Sequence, residues 1–174
     1  MQRFPYDPAD ILKALNQAHV KYLVVGGVAV IFHGVPRTTF DTDLAVELVL
    51  ENLKKFERVM TQLGFCAKVP VSVTGLANPK LRQEWTQQKN MKVFSFVESD
   101  KPFRMVDVMV QPLKGFERLY QQRRVVQHQG VRVPLMPLTA LMAMKRAAGR
   151  VQDIQDVEYL AVVQKKTHQR RLQR

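Results

Sequence analysis

The chain has 174 residues, 46% of them apolar, which suits one folded domain and excludes a disordered polypeptide. No apolar run nears the roughly 20 residues of a membrane span, no signal-peptide core follows Met1, and Cys66 stands alone, so a reducing cytoplasm is the expected compartment. Lys and Arg outnumber Asp and Glu by 27 to 15, and the resulting net charge of +12 favours an anionic partner, nucleic acid above all.

In chain order, Asp7 or Asp10 caps a first helix whose apolar stripe is Ile11, Leu12, Leu15 and Ala18. A strand over Tyr22–Val25 is broken by Gly26-Gly27, and Val28–His33 reads as a short helix closed by Gly34. The next strand, Thr38–Glu47, sets Phe40, Leu44 and Val46 on one face and Asp41, Asp43 and Glu47 on the other. Glu51–Leu63 is an amphipathic helix stopped by Gly64. Residues 66–90, with Pro70, Gly75, Pro79 and Trp85, read as a hairpin or loop excursion without chemistry. Strands follow at Met91–Val97 and Phe103–Val110, then a short helix over Gly115–Gln121. A hairpin, Val125–His128 with Val131–Pro134, precedes two helices, Leu138–Ala148 and Asp153–Gln164. The expected organisation is one domain over 1–164, with a core at 9–112 and a C-terminal hairpin and helices at 113–164. A basic, acid-free tail occupies 165–174 and is either a solvated extension or a nucleic-acid contact.

The chemistry concentrates around the glycine pair. A glycine turn between strand and helix lets a phosphate approach the backbone, although such turns also serve geometry alone. Asp41 and Asp43 are more pointed, because aspartate is disfavoured in strands and two on one face repel unless a cation neutralises them. Asp107 lies in another strand, flanked by Val106 and Val108. If the two strands are neighbours, three carboxylates converge, and hard oxygen ligands of this kind suit Mg²⁺ (or Mn²⁺). Arg37 is placed to clamp a triphosphate or a leaving pyrophosphate, or else to pair with the aspartates. Lys145 interrupts the apolar stripe of Leu138, Leu141 and Met142, so it either snorkels outward or reaches into a site. Asp153 and Asp156, three apart at a helix start, read as an N-cap with an acid at N3. His33 reads as structural.

Taken together, Gly26-Gly27, His33-Gly34, Arg37-x-Thr39-x-Asp41-x-Asp43 and Asp107 resemble the minimal nucleotidyltransferases of the DNA polymerase beta-like superfamily. Lys145, Ala148-Gly149-Arg150 and Asp153-x-x-Asp156 make the chain similar to the abortive-infection and toxin–antitoxin branch of that superfamily. The resemblance implies an α+β fold, a small mixed sheet flanked by helices with a C-terminal helical pair. It implies that Asp41, Asp43 and Asp107 hold the metal and act in catalysis, Asp107 also helping to activate an acceptor hydroxyl. Gly26 and Gly27 would cradle the triphosphate, and Arg37, Thr39, Lys145 and Asp153 would stand on the nucleotide-binding side. In the superfamily the commonest turn is Gly-Ser, whose serine can contact phosphate; Gly27 takes that place here.

The expected reaction is transfer of a nucleoside monophosphate from an NTP to an acceptor hydroxyl. The basic surface favours RNA, a tRNA end for example, over an aminoglycoside or a protein side chain as acceptor. The toxin–antitoxin resemblance implies an antitoxin protein as a partner. A nucleotide- or nucleic-acid-binding module without turnover is the competing expectation, weakened by the presence of all three carboxylates.

Overall fold

The computed structural model describes residues 7–172. Helix α1 (Ala9–Gln17) buries Ile11, Leu12 and Leu15 and leads to strand β1 (Tyr22–Val24). Helix α2 (Gly26–Phe32) begins at the glycine pair itself, two residues before the expected start. Strand β2 (Asp41–Val46), helix α3 (Leu50–Gln62) and strand β3 (Phe65–Ala67) follow. After α4 (Pro79–Lys89) come β4 (Val93–Glu98), β5 (Lys101–Met109), α5 (Phe116–Gln121), β6 (Arg124–His128) and β7 (Val131–Leu135). Helices α6 (Leu138–Ala148) and α7 (Val151–Leu172) close the chain.

The strands form one seven-stranded mixed sheet in the order β3-β4-β5-β2-β1-β7-β6. Its centre is β2, antiparallel to β1 and parallel to β5. Leu44 and Val46 from β2, Val106 and Val108 from β5, and Leu23 and Val24 from β1 are buried in one continuous core with α1 and α3. On the order of 2 kcal/mol attends full burial of each such side chain, so the sheet's centre is its most strongly held part. A clamp ties α1 to that core: Arg104 on β5 donates to both carboxylate oxygens of Asp10, at 2.7 and 2.8 Å, and to Glu98 at 2.7 Å.

Two expectations need correction. Residues 66–90 are not a loop excursion: they contain the end of β3, a 3₁₀ turn at Val73–Ala77 and the whole of α4. The Asn78 side chain caps α4 by accepting from the Lys80 amide at 2.9 Å, Pro79 opens it, and Asn90 ends it in the left-handed region at φ 48°. Trp85 is the one buried residue of α4, so no apolar stripe announces the helix. Its indole lies where a side chain on Gly75 would go, 2.6 Å from the position of an added Cβ. Phe40 is also misplaced by the alternation rule. It precedes β2, is 64% exposed, and does not join Leu44 and Val46 in the core.

Candidate active site

The register of the central sheet assembles the acidic centre. Asp41 and Asp43 lie two apart on β2 and share a face; the parallel pairing with β5 sets Asp43 opposite Asp107. One carboxylate oxygen from each of Asp41, Asp43 and Asp107 lies within 4.8 Å of the others, an arrangement able to hold a metal ion. Asp107 Oδ1 is buried without a hydrogen-bond partner. An orphaned buried oxygen is costly, and a hard divalent cation satisfies it with ligands of the right class. The donor set therefore fits Mg²⁺ or Mn²⁺.

The same crowding governs the acidities. Burial, then the neighbouring Asp41 and Asp107 charges, push the Asp43 carboxyl up to about 6, against the Gly27 amide and Lys145, which favour its charged form. Asp107 is raised as well, by burial first and by Asp41, with the Ser95 hydroxyl opposite it on β4 partly offsetting them.

Both glycines are forced by contact. Gly26 has φ +58°, and a Cβ there would fall 1.8 Å from Asp43 Oδ2. A Cβ on Gly27 would fall 2.6 Å from Thr39 Oγ1 and 3.2 Å from the Arg37 guanidinium carbon. Thr39 is buried, and its hydroxyl donates to Asp41 Oδ1 at 2.8 Å. A serine at 27 would collide with that threonine, which is a physical reason for the departure from Gly-Ser.

The second wall comes from the C-terminal helix pair. Lys145 on α6 is 3% exposed, and its ammonium reaches Asp153 Oδ1 at 2.9 Å and Asp156 Oδ2 at 2.8 Å on α7. Asp156 also pairs with Arg37, and Asp153 accepts from Arg150 Nε at 2.6 Å. Burial would raise the Asp153 carboxyl, but hydrogen bonds from Arg150 and Lys145 outweigh it and hold the group below its ordinary value. Asp153 and Asp156 are therefore buried partners in a five-member charge network, rather than helix caps. The cap expectation failed because α7 begins at Val151, which puts both acids inside the helix on the α6-facing side.

A cavity of about 890 Å³ runs between these walls, lined by Gly26 and Gly27, by Arg37, Thr39 and the three carboxylates, and by Lys145, Arg150 and Asp153. Every residue singled out for the site thus borders one space. Arg150, left outside that set, has a side chain 79% accessible; its hydrogen bond to Asp153 first, and the Asp43 and Asp41 charges after it, raise its pKa. Its position three before Asp153 was the available signal. Lys92, just before β4, also lines the cavity and carried no signal at all. His33 stays outside: its Nε2 donates to the Met136 carbonyl at 2.9 Å, and burial lowers its basicity.

No protein-family model matches the chain, and no curated protein matches it in sequence. Solved structures do resemble it. The lincosamide antibiotic adenylyltransferase LnuA, solved with lincomycin, superposes with a TM-score of 0.59 at 13% identity, over 88% of this chain and 94% of that one. ANT(2'')-Ia, solved with adenylyl-2''-tobramycin, gives 0.52 at 14% identity over 92% and 94%. An antigenic nucleotidyltransferase-like protein from Paracoccidioides brasiliensis gives 0.52 at 16% identity over 87% and 72%. At these identities the likeness establishes the nucleotidyltransferase fold.

Proposed function

We propose that this chain is a metal-dependent nucleotidyltransferase moving an NMP from an NTP to an acceptor hydroxyl. The observation that carries the reading is the convergence of Asp41, Asp43 and Asp107 on one side of a cavity whose other walls hold Arg37, Lys145 and Arg150. A divalent cation bound by the three aspartates would neutralise the triphosphate and the charge that develops on it. Arg37 and Arg150 flank the glycine turn and the carboxylates, where they bind and orient phosphate oxygens. Gly26 and Gly27 keep the backbone low enough for the triphosphate to approach. Thr39 positions Asp41. Lys145, Asp153 and Asp156 hold the two arginines in place. The acceptor oxygen attacks the α-phosphorus as the bond to the bridging oxygen breaks, and pyrophosphate leaves with that oxygen. The hydroxyl proton passes to the Asp107 carboxylate, whose pKa burial raises, so that it is a stronger base than an ordinary aspartate.

The net charge of +12 supports RNA as the acceptor. A small-molecule acceptor is the second reading, supported by the likeness to LnuA and ANT(2'')-Ia, whose structures contain antibiotics. Transfer to RNA is compatible with a role as a growth inhibitor, the toxin of a pair restrained by an antitoxin protein. Incubation with each labelled NTP, Mg²⁺ and either cellular RNA or a panel of hydroxylated antibiotics decides between acceptors. Asp41→Ala should abolish labelling and leave the circular dichroism unchanged; undiminished labelling by this variant would remove the reading. Growth arrest on expression, relieved by the same substitution, tests the toxin role.

A further inference from the structure

We propose that a second, cationic cavity, set back along the strands from the acidic centre, anchors the phosphate backbone of an RNA acceptor; this rests on the nucleotidyl-transfer reading above. The cavity has a volume of about 710 Å³ and lies between the end of α1, the end of α5 and the β6–β7 hairpin. Lys13, His19, Arg123 and Arg132 line it, and no carboxylate does. Two acids near its edge are paired: Glu117 with Lys21, and Asp7, which accepts from His128 and from the lining Gln129. Arg123 is preset. Its guanidinium carbon sits 4.0 Å from the centre of the Tyr120 ring and it donates to the Tyr120 carbonyl at 2.5 Å, which fixes the plane of the fork. Lys13 and Arg132 are exposed and make no ion pair among the described residues. A cavity bearing several cations and no lining anion selects a polyanion.

The position suits a long ligand better than a nucleotide. Leu135 pairs with Val24 at the carboxylate end of the sheet, and Arg132 precedes it by three residues on β7. That sets the cavity roughly 10 Å or more behind the reacting groups. Nucleic-acid strands carry a charge about every 3.4 Å of helix axis, so one acceptor presents several phosphates over this span while its end enters the acidic centre.

The test uses the full chain and a fluorescent single-stranded RNA of about 20 nucleotides. Lys13→Ala/Arg132→Ala should lower RNA affinity about tenfold and reduce the slope of log affinity against log salt by about 1.4, two contacts at roughly 0.7 each. Magnesium–ATP binding and the melting temperature should not move. Lys55→Ala/Lys80→Ala removes the same charge from exposed positions elsewhere and should change affinity less than twofold. Equal losses in both variants would overturn the cavity and leave the RNA acceptor standing. Wild-type protein that neither binds nor labels RNA would overturn the acceptor reading and the cavity with it. Unchanged RNA affinity with lost binding to a polyglutamate peptide would assign the surface to an acidic protein instead.

Discussion

Asp43 without metal is a carboxylate held against its preference, and Asp43→Asn should therefore stabilise the metal-free protein. Its pKa of about 6, against an ordinary 3.8, corresponds to about 3 kcal/mol at 1.36 kcal/mol per pH unit. Because the native state binds this proton more tightly than the unfolded chain, the group's stabilising contribution is complete below about pH 4. It is lost as pH rises through about 6. The asparagine does not titrate, so the advantage of the variant should grow across that window and plateau above pH 7. For a chain of this length each kcal/mol shifts the melting temperature by about 2–4 °C, giving a gain of roughly 6–12 °C at pH 8. Added Mg²⁺ closes most of the gap: at a hundredfold excess over its dissociation constant it contributes about 2.7 kcal/mol to the wild type and little to the variant. Thermal unfolding of both proteins at pH 4, 6 and 8, with EDTA and with Mg²⁺, reads all of this. A variant no more stable than wild type at pH 8 in EDTA would refute the claim that carboxylate crowding strains the apo centre.

Other substitutions probe the walls. Lys145→Met leaves Asp153 and Asp156 buried with fewer partners and should cost about 3–5 kcal/mol, a drop of roughly 6–20 °C in melting temperature, read by calorimetry. Gly26→Ala meets both a clash with Asp43 and a left-handed backbone; a loss of about 1–3 kcal/mol and weaker Mg²⁺ binding by calorimetric titration are expected.

How much of this was legible depends on whether the signal was local. The two aspartates on one strand, the glycine turn and the isolated Asp107 announce themselves, because each violates a propensity that burial alone would respect. Helix α4 was hidden, since its caps at Asn78 and Asn90 are single residues and only Trp85 is buried. The Asp153 and Asp156 roles were hidden for a different reason. Their partners Lys145 and Arg37 are supplied by packing of α7 on α6 and by a segment 119 residues away, as with the Arg37–Asp156 pair. Phe40 misled because alternation was extended past the first residue of β2.

The side-by-side pairing of β2 with β5 makes the protein brittle to one particular kind of genetic accident. Deleting the Thr42 codon would rotate every following side chain to the opposite face, carrying Asp43 away from its neighbour across the sheet while a leucine took its place. Deletion of Pro36, in the irregular stretch before the strand, leaves Arg37 and the strand intact and can be absorbed by chain slack. Indel tolerance along this gene should therefore collapse abruptly at the strand boundary, even where ordinary missense changes are borne.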